Sequence, residues 1–136
     1  MKKRSIRFAA VCLAILLLLL VPVNAAVTAS DYIDGYFINV YMANGNQVKT
    51  EFSVLPTGKM TKLGAYEIRI YEKQGTQWIL ADTKNEFSAG MTATNSYSFA
   101  NTITYTGKAN TEYKVIVTIF ARDATGSDSR TETHYV

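Results

Sequence analysis

Apolar and polar residues alternate along most of the chain beyond residue 35. Tyr36, Ile38, Val40 and Met42 fall on one side of an extended segment, Phe37, Asn39, Tyr41 and Ala43 on the other, and the run stops at Asn44-Gly45. A period of two is what a pleated strand imposes on its two faces. Asn-Gly is the strongest short hairpin signal, because a type I′ turn needs positive φ at both central residues. The return strand places Val48, Thr50, Phe52 and Val54 on one face and Lys49, Glu51 and Ser53 on the other, so one face is expected to be wet.

After the loop LPTGKMTKLG, a second hairpin is predicted from Tyr66 to Tyr71, through Gln74-Gly75-Thr76, into Gln77–Ala81. Tyr66, Ile68 and Ile70 share its core face, with Glu67 and Arg69 opposite. Residues 84–95 are polar and irregular, with Phe87 and Met91 expected to cap the edge of the core. A fifth strand follows with Tyr97, Phe99, Ile103 and Tyr105, and a sixth with Tyr113, Val115, Val117 and Ile119. The sixth is apolar on both faces near Ile116 and Phe120, as a central strand should be. The last, from Ser129 to Val136, is polar and reads as an edge. No long helical periodicity competes with these runs. The expected fold is all-β, a two-sheet antiparallel β-sandwich of about seven strands.

The N-terminus follows a different pattern. Four cations lie within the first seven residues, an apolar stretch runs from Phe8 to Val23, and small residues follow. That order is the signature of a secretory signal peptide, and its sixteen apolar residues fall short of the roughly 20 that span a membrane. The chain is therefore expected to divide into a signal helix at 1–25 and a single domain at 26–136. Val23 and Ala25 suit the −3 and −1 positions, which puts cleavage after Ala25, with cleavage one residue later as the alternative. Cys12 lies inside the apolar stretch and not after it, so it reads as part of the signal core and not as a lipidation site.

Removal of 1–25 takes away four Lys/Arg and no acid, which leaves 10 Lys+Arg against 11 Asp+Glu, a net charge of −1. With no basic run remaining, neither nucleic acid nor a membrane surface is an expected partner once the signal is removed. The remaining chain has no cysteine, so neither disulfides nor thiolate metal ligands are expected.

Against this frame the segment Thr111-Glu-Tyr113-Lys-Val115-Ile-Val117 resembles the F strand of fibronectin type III domains, whose Thr-x-Tyr-x-Val-x-Val pattern carries a tyrosine corner. The resemblance implies that Tyr113 packs in the core and bonds through its hydroxyl to backbone a few residues upstream. Gly107 and Ala109 stand where the family has Leu and Pro, and Phe52 is the nearest large residue to the family's second-strand Trp. The resemblance is clear over 97–133 and implies a fibronectin-like or immunoglobulin-like sandwich. The whole chain is also similar to small secreted proteins of Gram-positive bacteria, which implies export.

The chemistry of catalysis is sparse. His134 is the only histidine and sits on the polar last strand, so a Ser-His-Asp triad is not expected. Glu67, Glu72, Glu86 and Glu112 are expected to pair with Lys and Arg on wet faces and not with each other. The loop Asp123-Ala-Thr-Gly126-Ser-Asp128 has oxygen donors of the kind calcium takes, but its Asp, Gly and Ser are also ordinary turn chemistry. No cofactor or metal is expected.

All nine tyrosines lie beyond residue 25. Alternation assigns Tyr66, Tyr97 and Tyr113 to the core and leaves Tyr41, Tyr71 and Trp78 as candidates for an exposed binding set, since such rings give rigid contact area at small entropic cost. The expected function is that of a secreted non-enzymatic binding module whose partner is an extracellular protein or glycan. The alternative is a small extracellular inhibitor or effector of a partner enzyme.

Overall fold

A computed structural model describes residues 30–136; the expected signal helix and its cleavage point lie outside the described residues. The described chain is all β: β1 (Ile33–Ala43), β2 (Gln47–Pro56), β3 (Met60–Gln74), β4 (Gln77–Asn85), β5 (Thr92–Ser96), β6 (Phe99–Thr106), β7 (Tyr113–Arg122) and β8 (Ser127–Tyr135). They form two antiparallel sheets. One has three strands in the order β1-β2-β6, and the other has five, ordered β4-β3-β7-β8 with β5 also paired to β3.

The core lies between the sheets and is built by the alternation read above. Val48, Thr50, Phe52 and Val54 of β2 face Ile68 and Ile70 of β3 and Val115, Val117 and Ile119 of β7, all buried. Each apolar side chain of this size contributes about 1.5 to 3 kcal/mol by leaving water. β7 is central, with Tyr113 fully buried at its start. Met91, from the β4–β5 connection, is also fully buried and plugs the side of the core next to β6. There the Asn101 Nδ2 donates to the Gly90 carbonyl at 2.7 Å.

Five strands over three leaves the outer strands of the larger sheet overhanging. Their inward positions are accordingly polar: Asp82 and Lys84 on β4 form an ion pair at 3.3 Å, and the β7 register places Asp128, Arg130, Glu132 and His134 on the inward side of β8. Charges there also discourage edge-to-edge pairing with another chain.

Several positions depart from the alternation. The segment 60–64, expected as loop, is the first third of β3, so β3 runs for fifteen residues and serves β5 with its first part and β4 with its second. Tyr66, expected in the core, is 50% exposed because the β3–β7 register slips between Ala65 and Glu67. The extra residue of that β-bulge is Tyr66, and the slip turns it outward while keeping Ala65 and Ile68 inward. Tyr97 belongs to the turn between β5 and β6 and is 66% exposed. Phe87 does not cap the core; it is 81% exposed. The hairpin turn has its positive φ at Gly45 and Asn46, one place beyond Asn44-Gly45. The eighth strand beyond the seven expected is β5, whose Thr-Ala-Thr-Asn-Ser has no apolar alternation to betray it.

Candidate functional site

Register decides which side chains share the outer face of the five-stranded sheet. Since Tyr113, Val115, Val117, Ile119 and Ala121 point inward, Lys114, Ile116, Thr118, Phe120 and Arg122 point outward. Lys114 lies opposite Tyr71 on β3 and Tyr135 on β8, and across the β3–β4 hairpin Lys73 lies opposite Trp78 and Tyr71 opposite Leu80. The long side chains close on one another. The Trp78 and Tyr135 rings are 5.6 Å apart between centroids and inclined at 55°. The Lys114 ammonium sits 4.6 Å from the Tyr71 ring and 5.4 Å from the Trp78 ring, with Lys73 5.7 Å from Trp78. Leu80 and Tyr135 are more than half exposed.

A second aromatic group occupies the other end of this face. The rings of Tyr66 and Phe120 meet edge-on at 5.8 Å, Arg122 lies 5.2 Å from Phe120, and Lys62 lies 4.3 Å from Phe87. Tyr66, Phe120, Arg122, Ser129 and Asp128, the last paired with Arg130 at 2.8 Å, line a shallow hollow of about 240 Å³. Glu86 ties the group together: its Oε2 is 2.8 Å from Lys62 and 3.1 Å from Arg122, and those cations, Lys62 foremost, hold its carboxyl below the usual carboxylate range.

The three sequence candidates separate. Tyr71 and Trp78 come together on this face, whereas Tyr41 lies on the outer face of the three-stranded sheet, the far side of the sandwich. There its hydroxyl donates to Glu51 Oε1 at 3.0 Å, a bond that holds the Tyr41 hydroxyl above its ordinary pKa. Tyr135, Leu80 and Lys114 are the members that sequence reading missed. Tyr135 sits one residue from the end of a strand read only as a polar edge, and its place beside Lys114 is set by the β7–β8 register.

Tyr113 is placed for structure. Its ring packs against Tyr105 at 5.8 Å, and its hydroxyl accepts the Lys108 backbone N–H at 2.7 Å. The ring also explains Gly107, since a Cβ there would meet the Tyr113 hydroxyl at 2.6 Å. The four glutamates each have a cation: Glu67 with Arg69 at 2.7 Å, Glu72 with Lys108 at 2.8 Å, Glu112 with Lys73 at 2.6 Å, and Glu86 as above. Glu72 and Glu86 are buried beneath their cations, however, and not solvated as expected. His134 Nε2 is 3.0 Å from Glu132 Oε2 on the overhanging side of β8.

The loop at 123–128 is occupied by its own hydrogen bonds. Asp123 Oδ1 accepts the Thr125 hydroxyl at 2.6 Å, the Thr125 N–H at 2.7 Å and the Gly126 N–H at 3.2 Å, the pattern of an Asx turn. Asp128 Oδ1 accepts from Ser129 N–H and Arg130. Among the described residues no group of three His, Cys, Asp or Glu is placed to hold a metal ion. Set against protein-family models, curated proteins and solved structures, the chain matches none of them.

Proposed function

We propose that this protein is a secreted, non-enzymatic binding module of fibronectin type III-like architecture that docks another protein through the outer face of its five-stranded sheet. The sandwich class is supported by β3, β7 and β8 lying side by side, as strands C, F and G do in immunoglobulin-like sandwiches, and by the Tyr113 hydroxyl closing on backbone just upstream of its strand. Export is supported by the order of charge, apolar stretch and small residues at 1–25.

The observation that carries the binding reading is the convergence of Tyr71, Trp78, Leu80 and Tyr135 on a face the core does not need. Solvated sheet faces are ordinarily polar, and Trp and Tyr anchors are the residues that dominate protein interfaces. Because the Trp78 and Tyr135 rings are inclined at 55°, they share no plane on which the flat side of a pyranose can stack, which favours protein over glycan. The test is a binding assay against a panel of extracellular proteins, proteases and cell-wall glycans. The expected result is a protein ligand whose affinity drops at least tenfold in Trp78→Ala with Tyr135→Ala at unchanged melting temperature. A ligand indifferent to both changes, or one found only among the glycans, overturns the reading. Inhibition of a panel protease by a surface other than this face supports the inhibitor alternative.

A further inference from the structure

The five cation–π contacts among the described residues all lie on this one face: Lys62 with Phe87, Lys73 and Lys114 with Trp78, Lys114 with Tyr71, and Arg122 with Phe120. The face is therefore charged as well as aromatic. Its Lys62, Arg69, Lys73, Lys114 and Arg122 are set against Glu67, Glu86 and Glu112, five cations against three carboxylates, a net +2. Residues 26–136 as a whole carry −1, so everything outside this face sums to −3.

The surplus is not spread evenly. At one end Lys73 is matched by Glu112, and Lys114 has no carboxylate within ion-pair distance among the described residues, which leaves one positive charge. At the other end a single Glu86 carboxylate is shared by Lys62 and Arg122, which leaves another. Between them Arg69 is cancelled by Glu67, and Ile116 and Thr118 fill the middle of β7. Lys114 and Arg122 are eight residues apart on one strand, about 27 Å at 3.4 Å per residue.

We propose that this face, taken as the binding face above, accepts an extended acidic segment of another polypeptide, about eight residues long, with carboxylates near both ends and apolar or hydroxyl side chains between. The two positive ends take the carboxylates, and the Ile116–Thr118 centre meets the uncharged middle. A dense polyanion is disfavoured, because it extends past the +2 face onto a molecule whose remainder is negative.

The experiment is a titration of the ¹⁵N-labelled protein at low salt with three probes. These are an octapeptide with two glutamates at each end and valine and threonine between, the same peptide with lysines at the ends, and heparin. The acidic peptide is expected to give saturable shifts in amides of β3, β7 and β8. Its affinity is expected to fall at least fivefold in Lys114→Gln, whose lysine holds no ion pair among the described residues, and to weaken with salt, while the melting temperature holds. No saturable shift at millimolar peptide, shifts confined to another surface, or equal binding of the lysine-ended peptide overturns the proposal. Tighter binding of heparin overturns it in favour of an anionic glycan. If the acidic peptide fails while a panel protein still depends on Trp78, the charge inference falls and the binding face stands.

Discussion

Tyr113 and Tyr71 are both strand tyrosines, and the structure gives their hydroxyls opposite weights. The Tyr113 hydroxyl is buried and satisfies the Lys108 N–H at 2.7 Å. Removing it in Tyr113→Phe leaves that donor unpaired and is expected to cost about 1 to 3 kcal/mol. The Tyr71 hydroxyl takes only a long 3.4 Å contact from Arg69, so Tyr71→Phe is expected to cost under about 0.5 kcal/mol. Paired denaturant melts read the difference directly, and equal midpoints contradict it. At this scale the sequence was informative where a residue's role follows from its neighbours in the chain: Tyr113 is framed by Val115 and Val117 on a strand buried on both sides. Tyr66 was misread because a bulge is decided by the partner strand, here β7, and leaves no mark in the local alternation.

The element with the most demands on it is β3, and Gly64 is where they meet. It has φ +138°, and a Cβ there would collide with the Met91 carbonyl oxygen and press on Thr92 and the Phe99 ring. The Ala65 N–H donates to that same Met91 carbonyl at 2.8 Å, so β5 and the buried Met91 dock through backbone at this point. Gly64→Ala therefore adds backbone strain to a steric conflict and is expected to cost about 3 kcal/mol, with hydrogen exchange accelerating first in β5. Exchange unchanged in 91–96 would show that β5 does not depend on the close approach. Strands β1, β2 and β6 were legible because each alternates with a period of two, and β7 because it is apolar on its second face as well; β5 and the start of β3 were not, since their pairing rests on backbone geometry around a glycine. Of the proposed binding face, Tyr71 and Trp78 could be read from their own hairpin, while Tyr135 and Lys114 needed the β3-β7-β8 order, which local pattern does not encode.

For the whole molecule, charge placement fixes how stability responds to acid. The carboxyls of four residues are held below the ordinary carboxylate range: Glu86 by Lys62 and Arg122, Glu72 by Lys108, Asp123 by the Thr125 hydroxyl, and Asp128 by the Ser30 hydroxyl and Arg130. Near pH 4 the unfolded chain then binds more protons than the folded one, so stability rises with pH in that range. The contribution is complete above the unfolded carboxylate values of about 4 to 4.5 and is lost as pH falls through the lower native ones. The melting temperature is expected to hold from pH 7 to 5 and to drop below about 4.5. Glu86→Gln should melt lower at neutral pH, because two cations lose their shared partner, and should fall less steeply in acid. A melting temperature that rises on acidification contradicts the assignment.

The chain leaves the sandwich at opposite ends. Tyr32, just before β1, touches Thr125 in the β7–β8 turn through its hydroxyl at 3.2 Å, whereas Val136, just after β8, exchanges both backbone bonds with Tyr113 at the far end of β7. Tension applied between residues 30 and 136 therefore runs along the strands, pulling β1 lengthwise past β2 and β8 lengthwise past β7. Ladder bonds run perpendicular to antiparallel strands, so this geometry loads them together in shear and does not peel them one after another. β1 and β8 then act as clamps, and the β1 clamp is weakest at the bulge between Ile33 and Gly35. A pull along that axis is therefore expected to load both ladders before it reaches the core.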